Sequence, residues 1–295
     1  MTDTTAPHTA TPHAPTPATP HATPDASKTA HNTQRGITIR DVTSDQSGKW
    51  LEAGWRDFKR TPAIGLAYGA FCVVAGYVIL LSLFQAGQPY LTLPLGAGFM
   101  LIAPLLAVGL YETSRRLEMG ENVTLWHSLN GFRRNPGQLG AIGVILMLFF
   151  LLWSRVAMLL FALFYNGDVP PLDTLIWQTF FSRDAMGFLI TGSIIGGGFA
   201  IMAFAISLVS IPLLVDRDID VITALTLSVT AFRRNWRVLI GWAAALAVLA
   251  ACGMVVFLLG LAVVMPLLGH ASWHAYRGLI DTTNADAPRL RRVVP

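Results

Sequence analysis

The sequence predicts an all-α polytopic membrane protein: six transmembrane helices arranged as three hairpin repeats, each opened by a short amphipathic helix at the membrane surface. Three observations carry this prediction. Of the 295 residues 53% are hydrophobic and only 13% are charged, against roughly 25% charged in soluble domains; the mean hydropathy is +0.53. Several apolar runs exceed about 18 residues, enough for a helix to cross a hydrocarbon core of ~30 Å, where backbone must bond to itself. Third, an aromatic followed by two cations and a small polar residue recurs just before such runs: "WRDFKRTP" from Trp55, "NGFRRNPG" from Asn130 and "TAFRRNWR" from Thr230.

Taken in order, residues 1–35 are rich in Thr, Pro, Ala and His and hold no large apolar residue after Met1. With nothing to bury they cannot offset the entropy of ordering, so a disordered cytoplasmic tail is expected. The block has no apolar stretch behind a basic start and is not a signal peptide. His8, His13, His21 and His31 are irregularly spaced in it and read as solvated. Residues 36–281 form the membrane domain. Its first spans are Ala63–Phe84 and Leu91–Tyr111. The third, Leu139–Phe164, and the fourth, Gly187–Val215, flank a polar loop with Asp168, Asp173, Arg183 and Asp184. Val238–Tyr276 is too long for one helix and is divided near Ala251–Met254 into spans five and six. Residues 282–295 are a short basic tail.

Charge asymmetry supports the division. Lys59, Arg60, Arg115, Arg116, Arg133, Arg134, Arg217, Arg233, Arg234, Arg237 and Arg277 all flank one set of span ends, with Arg289, Arg291 and Arg292 beyond. By the positive-inside rule both termini are then cytoplasmic and the span count is even.

Aligned on Phe58, Phe132 and Phe232, the three copies also bring Leu51, Leu125 and Leu225 into register seven residues earlier, and Trp55, Leu129 and Val229 three earlier. Residues at that spacing share a helical face, as in helices that lie in the headgroup plane. The expected contacts to anionic headgroups are therefore Trp55, Phe58, Lys59, Arg60, Phe132, Arg133, Arg134, Phe232, Arg233, Arg234 and Trp236. Pro62 and Pro136 suit the first turn of the following helix. Pro104, Pro212 and Pro266, each followed by Leu-Leu, fall near the basic end of every second span. Glycines four apart, in Gly65–Gly69 and Gly192–Gly198, predict close helix packing.

Candidate chemistry gathers in "GHASWHAYR". His270 and His274 share a face, Arg277 follows one turn on, and Asp216 and Glu112 lie at a similar depth. Three roles are open to this cluster: hydrogen bonding across the bundle, proton or ion handling, and metal or haem ligation. No further metal ligands stand at a usable spacing, so no metal site and no cofactor are assigned. Cys72 and Cys252 lie in apolar runs, away from any CxxC spacing. No nucleophile triad, carboxylate pair or nucleotide loop is present, and the chain is not expected to be an enzyme.

The strings "AGWRDFKRTPAIGLAYG", "APLLAVGLYETSRRLE", "NWRVLIGWAAAL" and "PLLGHASWHAYRGLID" resemble the domain of unknown function 2189 family of bacterial integral membrane proteins, over roughly Ile37 to Asp281. The resemblance implies a multi-pass protein of the bacterial cytoplasmic membrane with uncharacterised activity and no established functional residues. The expected function is non-enzymatic, in organising the lipid surface or as an accessory to a membrane complex. The alternatives are a small-solute or ion transporter with the polar cluster on its path, and a metal- or haem-binding redox protein. Expected partners are anionic lipids, other membrane proteins or a second copy, and not nucleic acid.

Overall fold

A computed structural model describes residues 1–2, 36–88, 91–165 and 183–283. The expected tail, most of the polar loop including Asp168 and Asp173, and the basic tail from residue 284 on lie outside the described residues. The chain runs through α1 (Gln46–Arg60), α2 (Pro62–Gln85), α3 (Thr92–Leu106), α4 (Val108–Glu118), α5 (Leu125–Leu129), α6 (Pro136–Tyr165), α7 (Arg183–Ser207), α8 (Ser210–Asp216), α9 (Val221–Arg234), α10 (Trp236–Val255) and α11 (Leu261–Leu279). A two-residue ribbon departs from the all-helical expectation. In it β1 (Thr38–Ile39) pairs antiparallel with β2 (Ile280–Asp281), and Arg40 meets Asp281 at 2.7 Å. It ties together the two ends of the membrane domain.

Five segments are long and apolar enough to cross a membrane: Pro62–Gln85, Pro94–Glu118, Pro136–Phe164, Met186–Asp216 and Trp236–Val255. The expected sixth, α11, is not among them, because its second half carries His270, His274, Tyr276 and Arg277. Local chemistry sets most boundaries. Pro62 and Pro136 open α2 and α6, where a missing N–H leaves no bond unmade. Pro104 precedes the break between α3 and α4 at Ala107. Between α7 and α8 the N–H of Val209 is taken by Ser228 Oγ at 3.1 Å, while Ser228 donates its own proton to Ala205 O at 2.7 Å. Asp220 caps α9 by accepting from the Thr223 N–H at 2.8 Å.

The turn between α10 and α11 lies at Val256–Gly260, later than the expected Ala251–Met254. Gly253 and Gly260 stack so closely that a Cβ on Gly260 would fall 2.7 Å from Gly253 Cα. That contact keeps α10 helical past the expected break. Phe257 and Leu258 turn the chain in left-handed conformations (φ 50° and 61°), and Tyr77 OH donates to Phe257 O at 2.7 Å.

α11 runs back along α1 and α2. Gly69 lies against the Ala262 backbone, and Gly54 against that of Ala271. The expected close packing at Gly65 and Gly69 is therefore present. The Gly192–Gly198 stretch differs: Gly196 meets Trp153, but Gly192, Gly197 and Gly198 face open space. α3 packs on α6 and α7, whereas α10 packs on α11. The most deeply buried segments are α4 and α8, and the largest fully buried side chains beside them include Trp242, Trp273, Tyr276 and Leu110. α2, α6 and α10 instead leave many large apolar side chains exposed, the distribution of helices that face lipid.

Candidate functional site

The polar residues converge at one end of the bundle, here called the basic end. α4 delivers Glu112, Ser114, Arg115, Arg116 and Glu118 from a single helix that α5, α8 and α11 surround. Glu112 is 0% exposed. Its carboxylate accepts from Arg115 Nε (2.8 Å) and Nη2 (2.9 Å), from Arg116 Nε (2.7 Å) and from Arg134 Nη1 (3.4 Å). Arg116 also reaches Glu121 at 3.2 Å. Buried charges persist only when paired and hydrogen-bonded, and here one carboxylate is the shared anion of three guanidinium groups.

A second centre is Asp57, on the inner face of α1 formed by Trp50, Ala53, Gly54, Asp57 and Phe58. Its Oδ2 accepts from Ser114 Oγ at 2.7 Å and from His274 Nε2 at 2.8 Å. His270 Nδ1 lies 2.8 Å from the same Ser114 Oγ. A hydroxyl has one proton to give. With that proton donated to Asp57 Oδ2, His270 Nδ1–H is the donor to Ser114 Oγ, and its Nε2 presents a lone pair. That Nε2 is buried with no hydrogen-bond partner among the described residues. A third centre is Asp216, which accepts from Tyr276 OH at 3.0 Å, with Arg217 at 3.5 Å and Arg277 at 3.9 Å. Glu118 links the centres by accepting from Trp273 Nε1 at 2.9 Å and pairing with Arg277 at 3.3 Å.

All five residues expected in the cluster, His270, His274, Arg277, Asp216 and Glu112, thus sit in one layer, although Glu112 belongs to the arginine centre and not to the histidines. Asp57, Ser114, Glu118 and Tyr276 were missed. Asp57 had a readable signal, standing three residues after Gly54 and seven after Trp50 on one face of an amphipathic helix. The two histidines turn to different partners, and among the described residues no three His, Cys, Asp or Glu side chains form a metal-holding group.

Burial pushes the Asp57 carboxyl up, but the hydrogen bonds from His274 and Ser114 outweigh it and hold the group below its ordinary value of 3.8. A depressed carboxylate contributes stability that is complete above the ordinary value and is lost as pH falls through the lower folded one. The melting-temperature gap between wild type and Asp57→Asn in detergent is therefore expected to be present in full at pH 5 and to shrink below pH 3.8. A gap that does not shrink below pH 3.8 would contradict the assignment.

The surface residues divide. Trp55, Lys59, Arg60, Phe132, Arg133, Arg233, Arg234 and Trp236 are exposed at the basic end. Phe58 and Arg134 do not meet headgroups as expected. Phe58 is buried against Gly65 and stacks on Trp55, while Arg134 points inward, where its Nε donates to Val215 O at 3.0 Å. Phe232 is half-buried against Phe204. Asp216 and Arg217 are buried as well. Arg234 pairs with Asp41 at 2.7 Å, and Arg237 lies over the Trp236 ring at 5.4 Å. The asparagines of the repeated motif hold extended backbone. Asn135 Nδ2 donates to Ile219 O at 3.2 Å; Asn235 donates to Arg40 O at 3.1 Å and accepts from Val42 N–H at 2.9 Å.

Residues 92–216 match a family described as predicted integral membrane proteins (DUF2189). No curated protein and no solved structure matches the chain. The matched stretch runs from α3 to the end of α8, so it holds Glu112, its three arginines and Asp216. It omits α1 and α11, which supply Asp57, His270 and His274. The chain is an integral membrane protein with several membrane-spanning helices.

Proposed function

We propose that this is a non-enzymatic, six-span protein of the bacterial cytoplasmic membrane that organises anionic lipid at the cytoplasmic surface. The observation that carries the proposal is the division of charge at the basic end. Inward-facing cations are matched by carboxylates in closed ion pairs, while Lys59, Arg60, Arg133 and Arg233 stand exposed beside Trp55, Phe132 and Trp236. The sixth span is α11. It follows α2 closely enough for Gly69 to touch Ala262 and Gly65 to approach Pro266. Its polar half is shielded by α1 and α4, so it needs no apolar composition there. The repeat reading gains support from the asparagines: Asn135 of the second unit holds the lead-in to the third, and Asn235 of the third holds the lead-in to the first. With Lys59, Arg60, Arg133 and Arg233 exposed at one end, the positive-inside rule makes both termini cytoplasmic.

The test is reconstitution in vesicles of mixed anionic and zwitterionic phospholipid, with energy transfer from the protein to a labelled anionic lipid as the readout. Near a membrane surface each cation is worth about 1 kcal/mol. The fourfold variant Lys59→Gln/Arg60→Gln/Arg133→Gln/Arg233→Gln is expected to lose most of the anionic enrichment, and high salt to do the same to wild type. Enrichment indifferent to both would overturn the proposal.

A second reading, proton handling, is favoured by the chain His274–Asp57–Ser114–His270 and by the unpartnered buried Nε2 at its inner end. Intramembrane ionisable groups mark proton paths in many carriers. The same vesicles loaded with a pH dye decide it: a proton leak abolished by Asp57→Asn would replace the lipid-surface reading.

A further inference from the structure

We propose that the crevice between α3 and α10 is a resident lipid site that takes the two acyl chains of one phospholipid and reads the chains, not the headgroup. The inference rests on the chain being an integral membrane protein and is independent of the surface reading above.

Two cavities flank α3 at the end opposite the polar network, of about 590 Å³ and 430 Å³. Both fall within the usual range for ligand pockets, roughly 300–1,000 Å³. The larger extends along α2 to the α10–α11 turn at Leu258; the smaller runs along α6 and α7 beneath Trp153. Ala97, Met100 and Ala247 line both, so the two spaces meet at one shared wall. The gap follows from the packing. α3 is held by α6 and α7 and α10 by α11, and small residues, Ala97 and Ala247, face each other across the space between.

Protein interiors are close-packed, and walls without neighbouring atoms forfeit dispersion energy. Voids with apolar linings stay dry and take apolar guests. The walls here belong to membrane-spanning segments, so the guest at hand is hydrocarbon. Two joined lobes on either side of one helix fit a molecule with two chains. The described lining holds no charged side chain to select a headgroup. Its polar groups are few: Tyr77 OH and Trp153 Nε1 are spent on Phe257 O and Pro94 O, Ser193 lies in the smaller lobe, and Thr92 Oγ1 is buried with no partner among the described residues. A glycerol-ester oxygen would satisfy that hydroxyl.

The experiment is native mass spectrometry of the full chain in mild detergent. Delipidated protein is titrated in concentrated ammonium acetate, which screens the exposed cations of the basic end, with diacyl phosphatidylcholine, diacyl phosphatidylglycerol and single-chain lysophosphatidylcholine. The expected result is one diacyl lipid per chain, with affinities for the two headgroups within about threefold, under 1 kcal/mol, and up to two copies of the single-chain lipid. Ala247→Phe, which fills the shared wall, is expected to lower diacyl occupancy about tenfold, roughly 1.4 kcal/mol. Gly198→Leu, which faces open space, should leave it unchanged. Absence of a stoichiometric adduct, a preference for phosphatidylglycerol of about tenfold or more, or an Ala247→Phe variant that binds like wild type would overturn the site. Should Ala247→Phe fail to fold, the three titrations of wild type decide the matter alone.

Discussion

Replacing Glu112 with Gln is expected to be the most damaging single change at the basic end. The side chain is 0% exposed and is the common acceptor of Arg115, Arg116 and Arg134, all of them buried. Glutamine keeps the shape and one carbonyl oxygen but removes the charge. Breaking a buried ion pair from one side costs about 3–5 kcal/mol, because the remaining charge is left without compensation. For a chain of this size that is a loss on the order of 10 °C in melting temperature. Thermal unfolding in detergent, followed by circular dichroism and size-exclusion recovery, is the measurement. Glu52→Gln, an exposed change on α1, is the control and should stay within about 0.5 kcal/mol. The double variant Glu112→Gln/Arg134→Gln should recover part of the loss, since it removes one of the stranded cations. A Glu112→Gln protein that melts like wild type would mean that the arginines reach water and the network is not closed.

Gly69→Ala is expected to separate α2 from α11. A Cβ at Gly69 would lie 2.1 Å from the Ala262 carbonyl oxygen and 2.5 Å from its Cα. Those are backbone atoms of the facing helix, with no rotamer to move aside, so the helices themselves must part. Overpacking of this kind costs about 1–3 kcal/mol, and more where the backbone has to shift. The contrast is Gly198→Ala, where nothing lies within 4 Å. There the alanine's higher helix propensity, ~1 kcal/mol over glycine, should leave stability unchanged or raised. Paired thermal melts in one detergent test the difference. Equal melting temperatures for the two variants would show that α11 does not sit on α2 as described, and would weaken the case for α11 as the sixth span.

Much of the architecture is legible residue by residue because its causes are local. The length of an apolar run decides whether a helix can lie in hydrocarbon, and Pro62, Pro136 and Pro104 mark a helix start or break through their own missing N–H. The first, third and fourth spans are accordingly legible to within three residues, whereas the second runs on to Glu118, seven residues past its expected end. The α10–α11 turn was misplaced, because its position depends on Gly253 meeting Gly260 across the hairpin. What only the tertiary structure decided is which way each polar side chain faces. Consecutive helical residues point about 100° apart, so neighbours in one motif can belong to different environments. Arg133 faces out while Arg134 turns in to Glu112 and Val215; Lys59 is exposed while Phe58 and Asp57 are buried. The choice is made by non-local contacts, such as Gly54 against Ala271, that fix how α1 is rotated on α11. Charge and periodicity carry the class and depth of a membrane helix, whereas its rotation about its own axis is set by the helices it touches.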